Sequence, residues 1–401
     1  MIKISFLGDI ICQMPFLKAA QKRGNDFYTA FSGLKSLLDE SDYVVANLET
    51  PIAGEDSGYS NELYSFNTPA VFLDALKELK IDLFLTANNH CLDRGVAGLK
   101  STISELDKKE MAHTGTAIEE SSHEFYLNQI SDTTCAFLSY TACVNGDKWD
   151  KYKSDLSDYN LNLIIDIDKY LTYRNSRRAK TIPLYHLRKR IGDLIPHSLE
   201  LKIKNLLGIK ICPMVDNEPL DEVAGEVFNK LENTILKAKE KADLVFFLPH
   251  CGGQFNKTPG NLSKSIFEKL LESKADAVIG NHPHTVQKAG FLNGKPYAFS
   301  LGNVSSSPSY PFKVEESLPD YGMVFHTYIE DKKIIKSTFS FIKSIEEKDH
   351  YPLVKTIDDL YSTLSEKERI KLKNDVSNIC GRIFGDNGNS YGIQREYEIE
   401  K

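Results

Sequence analysis

Five short apolar runs in this chain end on residues that a hydrophobic core rejects. They close on Asp9 (FLGD), Glu49 (NLE), Asn89 and His90 (ANNH), His250 (FLPH), and His282 and His284 (VIGNHPH). The runs are short and separated by segments with helical apolar spacing, so they read as buried strands alternating with helices. That alternation predicts an α/β fold with crossover connections. In such sheets the carboxyl ends of the strands open onto the ligand crevice. Carboxylates, an amide and imidazoles gathered there can hold one or two divalent metals.

The elements follow from the same pattern. Strands are expected at 2–7, 43–48, 82–86, 243–248 and 275–279, and helices at 70–79, 96–109, 223–239 and 262–273. Two hairpins are expected, over 290–300 with a turn at Asn293-Gly294 and over 322–343 with a turn near Asp331. A block from about Gly146 to Pro219 breaks the rhythm and reads as an insertion with one or two helices. It begins rich in Tyr and Asp and turns basic, with Arg174, Arg177, Arg178, Arg188, Lys189 and Arg190 close together. Such runs are usually solvated surface; the alternative is a lid that contacts an anionic substrate or partner. The division expected is a domain over 1–351 carrying that insertion, then a charged helical tail over 352–401 whose last residues are disordered.

The chain is acidic, with a formal net charge of −7 over 401 residues, which argues against nucleic acid as a partner. No signal peptide and no apolar stretch long enough for a membrane span is seen, so a cytoplasmic location is expected. The seven cysteines include no CxxC pair and fit reduced thiols. Cys12, Cys91 and Cys251 flank the polar strand ends, where small packing side chains are the expected role.

His282 and His284 flank Pro283, which disfavours helix, so both imidazoles can face one site from a loop. Asp9 and Glu49 end buried runs, where a carboxylate is costly unless it is paired, hydrogen-bonded or metal-bound. An oxygen and nitrogen donor set without thiolates suits Mn, Fe or Zn in a catalytic site. Asn88 can orient the turn that carries His90. Asp93 either fixes the His90 tautomer or caps the helix that follows.

GD, NLE, NNHxxDxG, PHxGG, GNHPH and SLGN, in this order and spacing, resemble the CapA-type capsule and poly-γ-glutamate synthesis proteins of the calcineurin-like metallophosphoesterase superfamily. The resemblance covers about 1–142 and 222–328. It implies a four-layer α/β/β/α sandwich with the inserted segment appended. It also implies Asp9 and His284 on one metal, Asn89, His250 and His282 on the other, and Glu49 bridging. His90 would be a non-ligand histidine near the leaving group, and Asn303 of SLGN would support the ligand loops. Two departures stand out. Ile11 occupies the place of a histidine in simpler superfamily members, and Gln254 replaces a carboxylate that relatives often carry.

The function implied is a metal-dependent hydrolase of capsule polysaccharide or poly-γ-glutamate synthesis, cleaving a phosphoester or a γ-glutamyl amide. The alternative is a non-catalytic accessory protein of polymer assembly. The partners implied are an anionic polymer or a phosphorylated small substrate, together with the synthesis machinery.

Overall fold

Strand β1 (Ile2–Ile10) is buried along its whole length and organises everything around it. Alternate residues face opposite ways: Ile4 and Phe6 enter one core while Leu7 enters another. A computed structural model provides the structure, describing residues 1–60, 64–120, 124–181, 199, 211–385, 388 and 391–400.

Beside β1 run β2 (Tyr43–Leu48), β3 (Leu83–Leu85) and β4 (Ala112–Thr114), all parallel. The chain then builds a second sheet from β5 (Tyr126–Ile130), β6 (Thr133–Thr141), β7 (Leu244–His250), β8 (Ala277–Ile279), β9 (Ala289–Leu292) and β10 (Lys295–Ala298). It returns to the first sheet with β11 (Asn303–Ser305), β12 (Tyr321–Glu330), β13 (Lys333–Glu346), β14 (Pro352–Thr356) and β15 (Tyr397–Glu398). The first sheet is ordered β14-β13-β12-β1-β2-β3-β4, with β11 beside β1 and β15 beside β13; the second is β5-β6-β7-β8-β10-β9.

One core is shared by the two sheets. Phe6 of β1 meets Phe246 of β7 with ring centroids 5.3 Å apart, and Tyr43 stacks on Phe137 at 5.4 Å. Burying such a ring is worth about 1.5–3 kcal/mol. The opposite faces of the sheets carry helices. Met14–Lys22 and Val71–Glu78 share a core with Val44, Ala46 and Phe84. Gly225–Lys241 and Asn261–Glu272 share one with Leu138, Val245 and Phe247.

The α/β class and the two hairpins are as expected. Asn293 and Gly294 have φ of 54° and 75°, and Asp331 and Lys332 have φ of 48° and 60°, the left-handed pairs a tight hairpin requires. The tail differs from expectation. It holds helices Ile357–Thr363 and Glu366–Phe384, but Pro352–Thr356 is a strand, and Tyr397 near the end is fully buried against Phe339 at 5.1 Å. Tyr397 and Ile399 belong to the core shared by the two sheets. In the insertion, helices Gly146–Tyr152 and Ile167–Thr181 are described. Arg188, Lys189 and Arg190 lie outside the described residues. Among the described residues no helix is long and apolar enough to cross a membrane.

Candidate metal centre

The carboxyl ends of parallel strands from both sheets meet at one point. Pairing between β1 and β2 slips at Gly8, so that Asp9 stands opposite Asn47. A Cβ on Gly8 would lie 1.9 Å from the Gly302 carbonyl oxygen, so only glycine lets these backbones touch, and the Asp9 amide donates to that oxygen at 2.9 Å. The glycines of the GD and SLGN segments thus form one contact that sets the position of Asp9. Glu49 follows β2 by one residue, its amide held by the Ile10 carbonyl at 3.0 Å. From the second sheet, His250 is the last residue of β7 and bridges to Asn281. His282 and His284 then turn inward at φ of 106° and 54°. Left-handed backbone at a non-glycine residue costs about 1–3 kcal/mol and persists where surrounding structure enforces it.

Three donor atoms close a triangle. Asn89 Oδ1 lies 2.7 Å from His250 Nε2 and 3.3 Å from His282 Nδ1, and the two imidazole nitrogens are 3.1 Å apart. Neighbouring donors in one coordination sphere, each about 2.1 Å from a metal, stand at about this spacing. On the other side His284 Nδ1 lies 3.2 Å from Asp9 Oδ2, and His284 Nε2 is 3.7 Å from Glu49 Oε1. His250 Nε2 is also 3.7 Å from Glu49 Oε1. Two sets of metal-type donors result, Glu49 with His250 and His282, and Asp9 with Glu49 and His284; every residue is buried and Glu49 belongs to both.

Glu49 supplies the test of fit. Asp9 accepts from Asn47 Nδ2 at 2.7 Å and the His282 amide at 3.2 Å, whereas neither Glu49 carboxylate oxygen has a hydrogen-bond partner. Burial, then the nearby Asp9 carboxylate, pushes the Glu49 carboxyl well above its ordinary range. Among the described residues the ion-pair partners of Asp9 and Glu49 are all histidines. Burial, then neighbouring imidazoles, holds His250 and His282 well below the ordinary histidine range, so both are neutral, as metal ligands must be. An orphaned buried carboxylate among neutral imidazoles fits a cation.

The surrounding residues hold this set in place. Asn88 Nδ2 donates to the Leu48 carbonyl at 2.9 Å, while its Oδ1 accepts the His90 amide at 3.2 Å. His90 Nδ1 lies 2.7 Å from Asp93 Oδ2, which also accepts the Phe66 amide. Arg94, not Asp93, precedes the Gly95–Lys108 helix, and no side chain caps it. Of the two roles open for Asp93, the geometry shows the contact with imidazole. His90 Nε2 then faces the site, 3.8 Å from Glu49 Oε1. Asn303 Oδ1 sits 3.0 Å from His284 Nδ1.

Two contributors escape the sequence patterns. Asn47 lies two residues before Glu49 and reaches both Asp9 and His250, the latter at 3.3 Å. Asn145 donates to Asp93 Oδ1 at 3.2 Å and accepts from Asn89 Nδ2 at 3.3 Å. The alternation of Asn47 with Glu49 was a visible signal; for Asn145 there was none.

A small cavity opens beside the centre, with His90, His284, Asn303, Gln254, Phe66 and Tyr310 in its wall. Arg177 and Arg178 are exposed on the Ile167–Thr181 helix and do not line it. Cys12, Cys91 and Cys251 are buried, free thiols; burial pushes Cys91 up to about 12, so it is an inert packing group.

The chain is 21% identical over 305 residues to the PGA biosynthesis protein CapA of Bacillus subtilis (strain 168), covering 75% of this chain and 62% of that protein. It is 20% identical over 329 residues to the capsule biosynthesis protein CapA of Bacillus anthracis, covering 80% and 63%. The chain therefore spans less than two thirds of the length of these relatives. Among solved structures it is similar to sulfate thiohydrolase SoxB of Thermus thermophilus at a TM-score of 0.39 and 9% identity, covering 95% of this chain and 61% of that one, a likeness too distant to carry an argument. The model of one family, described as bacterial capsule synthesis protein PGA_cap, matches residues 3–307, and the chain belongs to that family.

Proposed function

We propose that this chain is a metal-dependent hydrolase with a phosphoesterase-type site, acting in capsule or poly-γ-glutamate synthesis. The observation that carries the proposal is Glu49, buried, unpartnered and common to two donor sets. Asp9, Glu49 and His284 would hold one divalent metal, and Asn89, Glu49, His250 and His282 another, with Mn, Fe or Zn suited to the donors. Bound metal supplies an activated water and charge neutralisation at the reacting group.

The remaining chemistry belongs to the chain. Asp93 Oδ2 would accept a hydrogen bond from His90 Nδ1–H and so aim Nε2 at the site. Protonated at Nε2 as well, His90 would deliver a proton to the leaving oxygen or nitrogen, and the adjacent Asp93 carboxylate stabilises that cation. Phe66 packs against the His90 ring with centroids 4.4 Å apart and would limit how far that ring can turn. Gln254 and Asn303, in the cavity wall, would orient substrate.

The proposal extends to the architecture. The shared core between the sheets and the helices on their outer faces support a four-layer α/β/β/α arrangement of the metallophosphoesterase type. Residues 1–351 would form the site-bearing domain and 352–401 its closing segment. Arg177 and Arg178 would reach substrate only if the insertion closes over the centre.

The test is to load the protein with Mn, Fe or Zn and screen phosphoesters and γ-glutamyl amides. Turnover that disappears together with bound metal in His282→Ala supports the proposal. Full metal retention in both His250→Ala and His282→Ala contradicts it. Bound metal with no turnover on either substrate class would favour an accessory protein.

A further inference from the structure

The segment after β7 links the metal centre to a second feature. Gln254 and Phe255 line the cavity beside His284, while Lys257, Thr258 and Pro259 line a separate groove open to solvent. That groove runs between the Asn261–Glu272 helix, the β9–β10 hairpin and the Glu366–Phe384 helix. Four cationic side chains meet there, Lys257, Lys264, Lys288 and Arg382, against one carboxylate, Glu268. Among the described residues none of the four forms an ion pair. This local excess sits on a chain of net charge −7.

Arg382 is the most telling of them. Its Nη1 donates to Thr285 Oγ1 at 2.8 Å and to the Ser317 and Val286 carbonyls at 3.0 and 3.1 Å, all neutral acceptors. Burial lowers its pKa to about 10, so it stays charged at neutral pH, and among the described residues no carboxylate pairs with it. The same groove is lined by the apolar side chains of Phe267, Leu292 and Tyr297.

We propose that this groove binds an extended carboxylate-bearing chain. A lining that combines four cations with Phe267, Leu292 and Tyr297 matches a chain whose carboxylates alternate with methylene stretches. Point-charge lysines predominate over the planar guanidinium forks that favour phosphate. The site deepens the proposed link to polymer synthesis and rests on it only for the polymer's identity; the metals take no part in the binding.

The experiment uses the metal-loaded full chain and a fluorescein-labelled γ-linked oligoglutamate, followed by anisotropy. Wild type should bind, with affinity falling as salt rises. The triple variant Lys257→Ser, Lys264→Ser, Lys288→Ser changes exposed residues only, and should raise Kd about tenfold or more and flatten the salt dependence. An unchanged Kd would overturn the proposal, as would tighter binding of inorganic polyphosphate than of oligoglutamate to wild type. Metal content and turnover of a small phosphoester, measured in the same samples, report on the metal centre alone. They should be equal in both proteins, so failure of the groove and failure of the hydrolase proposal read out separately.

Discussion

His326 and His250 are both buried histidines in contact with elements around β1, yet they have opposite surroundings. Both ring nitrogens of His326 are answered. Its Nδ1 lies 2.7 Å from Ser5 Oγ and its Nε2 3.2 Å from Ser340 Oγ, and nearby Lys3 pairs with Glu396 at 3.3 Å. Four residues along β1 from Ser5, at Asp9, the pattern inverts. Imidazole nitrogens face each other, backbone is left-handed at His282 and His284, and Glu49 has no partner. A buried polar cluster that satisfies itself is structure; one that leaves a carboxylate orphaned calls for a cation.

The largest expected effect separates catalyst from ligand within the second cluster. His90→Ala should lower turnover about 10²–10⁴-fold, the usual range for a positioned acid or base, with metal content nearly intact. Steady-state kinetics beside metal analysis checks both. Loss of metal in His90→Ala, with Asn89→Ala unaffected, would exchange the two roles.

Chelation should follow in size. Stripping metal removes the partner of Glu49, and unfolding free energy should fall by about 3–4 kcal/mol relative to saturating metal. Denaturant titration with and without chelator measures it; coincident curves would place Glu49 with the self-satisfied groups.

The first cluster gives a smaller, pH-dependent effect. Burial, then Lys3, pushes the His326 pKa down to about 3. In the unfolded chain the imidazole titrates near ~6.5, so between these values the unfolded state binds the extra proton. The stability His326 contributes is full above that unfolded value and is lost as pH falls toward 3. From pH 7 to 5 wild type should lose roughly 2 kcal/mol more than His326→Gln, by denaturant titration of the metal-loaded proteins. Parallel pH profiles would mean that His326 takes a proton in the fold.

The smallest effect concerns support. Asn47→Ala should weaken metal binding about tenfold, the low end for residues that orient ligands, as read by competition with a chromophoric chelator.

Much of this contrast was legible in the sequence. Asp9, Glu49, His250, His282 and His284 stood out because a short apolar run defines a strand end, and strand ends converge in α/β sheets. β6 was not, since Thr133–Thr141 opens with polar residues and has no clean alternation, although its interior is buried between β5 and β7. β15 is two residues long and exists because Tyr397 stacks on Phe339, a contact between distant positions that no local pattern announces. Asn145 joins Asn89 to Asp93 across the fold for the same reason. The described arginines of the insertion drew attention by their charge, but the cations that converge on a groove are Lys257, Lys264, Lys288 and Arg382, scattered along the chain.

The most direct measurement is the metal content of Glu49→Gln beside wild type and His326→Gln, each purified and reloaded identically. One to two equivalents of transition metal are expected in wild type and in His326→Gln, and most of it should be gone from Glu49→Gln, because the residue common to both donor sets no longer offers a carboxylate. Wild-type metal content in Glu49→Gln would contradict a centre built around Glu49.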